Sequence, residues 1–136
     1  MREILFRGQC CTDGKWVEGY LGIEVPDELV IQQFSFDEYF KSNCIDQYSV
    51  KPETVGQYTG LTDKNGKKIF EGDILEGDLD DNLDPGAKWR SVVVWGKFGW
   101  NCKGGHVSLP IDESDIEEGE VIGNIHDNPE LMEVER

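Results

Sequence analysis

Apolar and polar positions along this chain alternate in short runs, and glycine or Asn-Gly separates one run from the next. The densest example is Gly56-Gln57-Tyr58-Thr59-Gly60-Leu61-Thr62-Asp63-Lys64-Asn65-Gly66-Lys67-Lys68-Ile69-Phe70-Glu71-Gly72-Asp73-Ile74-Leu75. It predicts short strands joined by tight turns, because glycine and Asn-Gly supply the positive φ that hairpin reversals need. Glu3 to Cys10 and Lys15 to Val25 predict two more strands around a turn at Thr12-Asp13-Gly14. The second is rich in strand formers (Trp16, Val17, Tyr20, Leu21 and Ile23), and Pro26 ends it because proline has no ladder donor.

Between Asp27 and Asn43 the pattern is ambiguous. Leu29, Val30, Ile31, Phe34, Phe36, Tyr39 and Phe40 mix helical spacings with a Val-Ile pair that suits a strand. Helix, strand and an aromatic-bearing loop all stay open, with Ser35 as the cap of a helical turn beginning at Asp37-Glu38. Tyr48 to Lys51 predicts a strand before Pro52, and Gly72 to Glu76 a turn followed by a strand. Gly77 to Lys88, with its many acids, predicts an exposed loop. Trp89 to Trp100 predicts a hairpin turning at Gly96-Lys97, Val107-Ser108-Leu109 and Val121 to Ile125 two last strands, and Asn128-Pro129 the start of a tail.

The expected fold class is mainly β: a small barrel or two packed sheets of short strands, with at most one or two short helices. One domain spans residues 1–136. A break near Ser49 to Val55 would set an N-terminal subdomain, 1–50, apart from a β-rich part, 51–136. Four Trp, four Tyr and six Phe argue for a folded core rather than disorder.

Charge narrows the choice of partner. Twenty-eight Asp and Glu against 13 Lys and Arg give a formal charge of −15. Such a surface repels phosphate backbones and anionic lipid, so neither direct nucleic-acid binding nor membrane binding is expected. The charge serves solubility, or else a surface that meets basic partners or imitates DNA. The N-terminal residues lack the apolar core of a signal peptide, and no stretch is apolar enough to span a bilayer. Cys10, Cys11, Cys44 and Cys102 form no convincing disulfide framework, because two of them are adjacent, so a reducing cytoplasm is the expected location.

Several segments together resemble the YopX family, small proteins found mostly in bacteriophages, prophages and Gram-positive bacteria. They are Phe6-Arg7-Gly8, Trp16-Val17-Glu18-Gly19-Tyr20, Pro52 through Leu61, Asp63-Lys64-Asn65-Gly66, Ile69 through Ile74, and Val121 through Leu131. At His126 the family often carries Tyr, which implies an amphipathic side chain there rather than an imidazole. The resemblance implies a mainly β fold, a phage or prophage source and a cytoplasmic location. It carries over no catalytic residue, since the family has none assigned.

Candidate chemistry is sparse. Asp78, Asp80, Asn82, Asp84 and Gly86 alternate as in a calcium loop, but Leu83 replaces the turn glycine and Trp89 the bidentate glutamate. Cys102 and His106 have a permissible zinc spacing that Cys10, Cys11 or Cys44 would complete, without any Cys-x-x-Cys pair. The cysteines read better as free, partly buried small hydrophobes, and no metal or other cofactor is expected. His126-Asp127 would point apart in a strand, and no nucleophile elbow or phosphate loop occurs. Trp89, Trp95, Phe98 and Trp100 suit a core, although Trp95 and Phe98 flank a turn where one of them would be exposed.

The function expected from these features is a non-enzymatic phage or prophage accessory protein. It would work through protein–protein contacts, its own copies included, since the edges of small β domains self-associate readily. The acids Asp112, Glu113, Asp115, Glu117, Glu118 and Glu120, with Trp95 and Phe98, are the candidate partner-binding residues. The alternatives are a small metal-assisted hydrolase using acidic loop residues and His106, or an acidic mimic of nucleic acid.

Overall fold

Eleven strands and two short 3₁₀ turns make up the regular structure in the computed structural model, which describes residues 4–25, 28–78, 88–96, 99–104, 107–110 and 119–132. They form two antiparallel sheets, neither closed into a barrel among the described residues. The first sheet uses β1 (Phe6–Gln9), β2 (Trp16–Val25), β3 (Glu28–Asp37), β4 (Ser42–Ser49), β5 (Gly56–Thr62) and β6 (Lys68–Phe70), in the order β4-β3-β2-β1-β5-β6. The second uses β7 (Asp73–Asp78), β8 (Lys88–Gly96), β9 (Gly99–Gly104), β10 (Val107–Pro110) and β11 (Glu120–Asn124), in the order β10-β9-β8-β7-β11. The chain divides into two units, Met1–Tyr58 and Thr59–Arg136, and the division falls within β5.

In the first unit the interior is small. Val30 and Ile31, consecutive on β3 and therefore on opposite faces, are both fully buried. Cys10 and Val50 are buried as a bridged pair, and the Arg7 guanidinium lies 4.9 Å from the Trp16 ring centre. Cys10 is thus the small hydrophobe expected, while Cys11 next to it is exposed.

The second unit packs Ile69 of β6 against Leu75 and Val93, all three fully buried, with Leu61, Trp89, Trp100 and Val121 around them. Gly77 is needed where it stands: the Trp89 indole, its direct partner across the ladder, fills the space a side chain would take. Along the same two strands Glu76 faces Arg90, with Arg90 Nε donating to Glu76 Oε2 at 2.7 Å, and Asp78 faces Lys88 at 3.6 Å. Opposite charges facing across a ladder stabilise its register.

One carboxylate organises the turn between β5 and β6. Asp63 is buried; its Oδ1 accepts from the N–H groups of Asn65 and Lys67 at 2.9 Å each, and its Oδ2 accepts from Val121 N–H at 2.9 Å. Gly66 closes that turn at φ 80°, the left-handed region the Asn-Gly pair predicts. Lys64 N–H donating to Gly119 O adds a second tie between the turn and the approach to β11.

The stretch left open between helix, strand and loop resolves to strand, and finer expectations of a cap, a tail and a strand end are corrected. Residues 28–37 are strand, and the following turn is capped by Asp37, not Ser35: Asp37 Oδ1 accepts from Tyr39 and Phe40 N–H. Alternation wins because Phe34 and Phe36 share one face, while the Val-Ile pair that mimics a helix is the point where β3 is covered on both faces. Residues 129–132 are a 3₁₀ turn rather than the start of a tail, held by Leu131 N–H to Asn128 O and by Arg90 Nη1 to Leu131 O. β11 stops at Asn124, so His126 and Asp127 lie in a turn whose N–H groups both donate to Asn124 Oδ1.

Burial pushes the Asp63 carboxyl upward, but the N–H donors of Val121, Lys67 and Asn65 and the Lys67 charge outweigh it and hold it below its ordinary value of 3.8. A carboxyl depressed on folding stabilises above its unfolded value, and that contribution is lost as pH falls from about 3.8 through the folded value. Asp63→Asn replaces one acceptor with a donor facing a buried N–H. Chemical denaturation should show a loss of about 2 kcal/mol at neutral pH, and a shallower loss of stability on acidification than in the parent chain.

Candidate functional site

Among the described residues, most of the exposed large apolar side chains lie on the β2–β4 part of the first unit. In the ladder Tyr20 pairs with Gln32, Gln32 with Gln47, Phe34 with Ile45 and Phe36 with Asn43, so all of these side chains share one face. Tyr20 and Phe34 meet edge-to-face at 5.5 Å between ring centres. Phe34 is 57% and Ile45 60% exposed, although each is flanked by apolar neighbours. At the tip, Tyr39 and Phe40 stack edge-to-face at 4.9 Å and are among the most exposed side chains in the chain. Single exposed apolar residues are ordinary, whereas six on one hairpin and the strand beside it make this the candidate site.

β4 is also the end of its sheet. Val50 N–H donates to Leu29 O, which sets the phase of the β3–β4 ladder. Tyr48, Asp46 and Cys44 therefore point their backbone groups at β3, and Ser49, Gln47, Ile45 and Asn43 point theirs away. The base of this outer edge is occupied, since Cys11 N–H donates to Ser49 O and Lys51 N–H to Gln9 O. From Asn43 to Gln47 no strand of this chain lies beside it among the described residues.

The sequence-predicted residues fall elsewhere. Trp95 is 62% exposed and packs edge-to-face on Trp100 at 4.8 Å, as expected of one aromatic beside this turn. It faces Trp100 across the β8–β9 ladder, one pair before the turn-ward end at Gly96 and Gly99. Glu120 begins β11, pairs with Glu76 across the ladder and accepts a 3.3 Å hydrogen bond from Asn65 Nδ2. Asp112, Glu113, Asp115, Glu117, Glu118 and Phe98 lie outside the described residues, as do His106 and the acidic loop beyond Asp78. Cys102 is placed in β9 by its backbone, opposite Val93 and Leu109. The described members of this set, Trp95 and Glu120, belong to the second unit, whereas the aromatic face of β2–β4 belongs to the first.

That face was missed because its residues fall in the stretch left open between helix, strand and loop. The signal for it was the Phe34-x-Phe36 alternation, continued across the turn by Ile45. Among buried or half-buried acids, Glu71 is shifted the other way from Asp63: desolvation raises its carboxyl above the usual range.

The two sides of β3 should respond differently to truncation. Ile31→Ala should cost about 2–4 kcal/mol in denaturant titrations, as for a buried aliphatic side chain. Phe34→Ala should cost under about 1 kcal/mol, because its side chain is already in water.

Comparisons with known proteins agree with this architecture. The model of the YopX protein family matches residues 5–133. A solved structure, protein EF1440 from Enterococcus faecalis, is similar with a TM-score of 0.65 and 25% identity, covering 98% of this chain and 100% of that one. Among curated proteins no match was found. With the family model spanning nearly its whole length, on a fold of two antiparallel sheets, this chain belongs to the YopX family.

Proposed function

We propose that this protein is a non-enzymatic accessory protein of phage or prophage, acting in the cytoplasm through protein–protein contacts, with the exposed face of β2–β4 as its contact surface. The observation that carries this reading is the group Tyr20, Phe34, Phe36, Tyr39, Phe40 and Ile45, apolar and exposed on one hairpin and the strand beside it. Large aromatic side chains held rigidly by a ladder lose little entropy on binding, and they supply most of the energy at protein contacts.

The buried carboxylates support the same reading, because they are engaged in structure. Asp63 receives three backbone N–H groups, and Asp73 Oδ2 accepts from Phe70 N–H at 2.8 Å. Free thiols at Cys10, Cys11 and Cys44 are in keeping with a reducing compartment.

The test is capture of protein partners from uninfected and phage-infected host lysates by the parent chain and by Phe34→Gln/Phe36→Gln. Both substitutions lie at exposed positions, so thermal melts of the two chains should coincide within a few degrees. The reading expects the double variant to lose at least about tenfold of the captured partner, or of its own second copy, with little dependence on salt. Equal capture by both chains contradicts it. Capture that collapses at high salt and ignores Phe34 and Phe36 would favour the acidic mimic instead.

A further inference from the structure

We infer that the outer edge of β4 is a self-pairing edge: two copies of this chain join β4 to β4 antiparallel, about a twofold axis through Ile45. The inference rests on the contact-surface reading above and names its occupant. The outward-pointing backbone groups belong to Asn43, Ile45 and Gln47, three alternate residues centred on Ile45. A twofold axis at the middle residue sets Asn43 against the second copy's Gln47 and Ile45 against its own equivalent. Every outward N–H and C=O between Asn43 and Gln47 then finds a partner.

The side chains suit the same register. On the aromatic face the pairing brings Ile45 to Ile45 with Phe34 directly behind each, so the two exposed faces merge into one apolar strip. On the opposite face Asp46 meets Cys44 of the second copy, so no acid stands opposite an acid.

Charge selects the occupant. The chain as a whole carries −15, yet Leu29 through Phe36 holds no charged residue and Ser42 through Ser49 holds only Asp46. The one cation at the tip, Lys41, already lies 3.9 Å from Glu38. A neutral strip in an acidic chain offers nothing to a basic partner, and it is where two acidic copies can approach. The base of the edge is sealed by Cys11 and Lys51, which limits pairing to Asn43–Gln47 and closes the assembly at two.

Sedimentation of the intact chain over a concentration series should show a monomer–dimer equilibrium. Dimerisation should strengthen from low to high salt, because screening relieves repulsion between two anionic copies while leaving the neutral strip unchanged. Gln47→Pro deletes an outward N–H and leaves the backbone hydrogen bonds to β3 in place, and it should weaken dimerisation at least about tenfold; Gln47→Ala, which loses the same side-chain bond to Gln32 but keeps the N–H, should dimerise like the parent.

Register is read by mild oxidation with Cys11, Cys44 and Cys102 replaced by Ser. Ile45→Cys should form a disulfide dimer, since facing residues of a hydrogen-bonded pair lie about 5.5 Å apart at Cα. Asn43→Cys or Gln47→Cys should cross-link only when combined. A chain that stays monomeric at every salt, or an Asn43→Cys that cross-links by itself as fast as Ile45→Cys, overturns the inference. If the monomeric chain still loses a foreign partner on Phe34→Gln/Phe36→Gln, self-pairing has failed and the contact-surface reading stands.

Discussion

The β3–β4 pairing is the constraint on which the first unit's surface depends. Val30 and Ile31 anchor β3 on both faces, and Val50, bridged to Cys10, anchors the return. Beyond Ile31 the ladder runs on toward solvent, held by strand pairing and cross-strand contacts such as Gln32 Nε2 to Gln47 Oε1 at 2.9 Å. A side chain there cannot turn inward, because strand geometry commits Phe34, Phe36 and Ile45 to the face that Val30 already shares. Exposure of the aromatics follows from an anchored register that runs past its core.

In the second unit several polar side chains fix turns and register. Asp63 gives its carboxylate to three N–H groups, Asn124 gathers the turn of His126 and Asp127, and Glu76 engages Arg90. Such groups are spent on geometry, and among the described aromatics of this unit Trp95 faces outward, packed on the half-buried Trp100. The division of labour is plain in the residues: turn chemistry builds the second unit, and bare apolar strand marks the first.

Much of this was legible in the chain. The Asn65-Gly66 turn, the strand after Gly72 and the Trp89–Trp100 hairpin were all readable, because each has turn residues with a single conformational meaning. Residues 28–37 were not, since burial of both Val30 and Ile31 blurs the two-residue period that the exposed half keeps cleanly. The exposed aromatic face is hidden for the same reason, while acids and tryptophans are conspicuous in the sequence by their abundance. Composition points to charge, whereas the exposed surface that charge leaves neutral emerges only when cross-strand neighbours are known.

Backbone hydrogen exchange along β4, read residue by residue at low and at high protein concentration, tests the central claim most directly. Cys44, Asp46 and Tyr48 point at β3 and should be protected at both concentrations. The account predicts that the Asn43, Ile45 and Gln47 amides exchange freely when the chain is dilute and slow when it is concentrated. Outward amides that exchange equally fast under both conditions would contradict it.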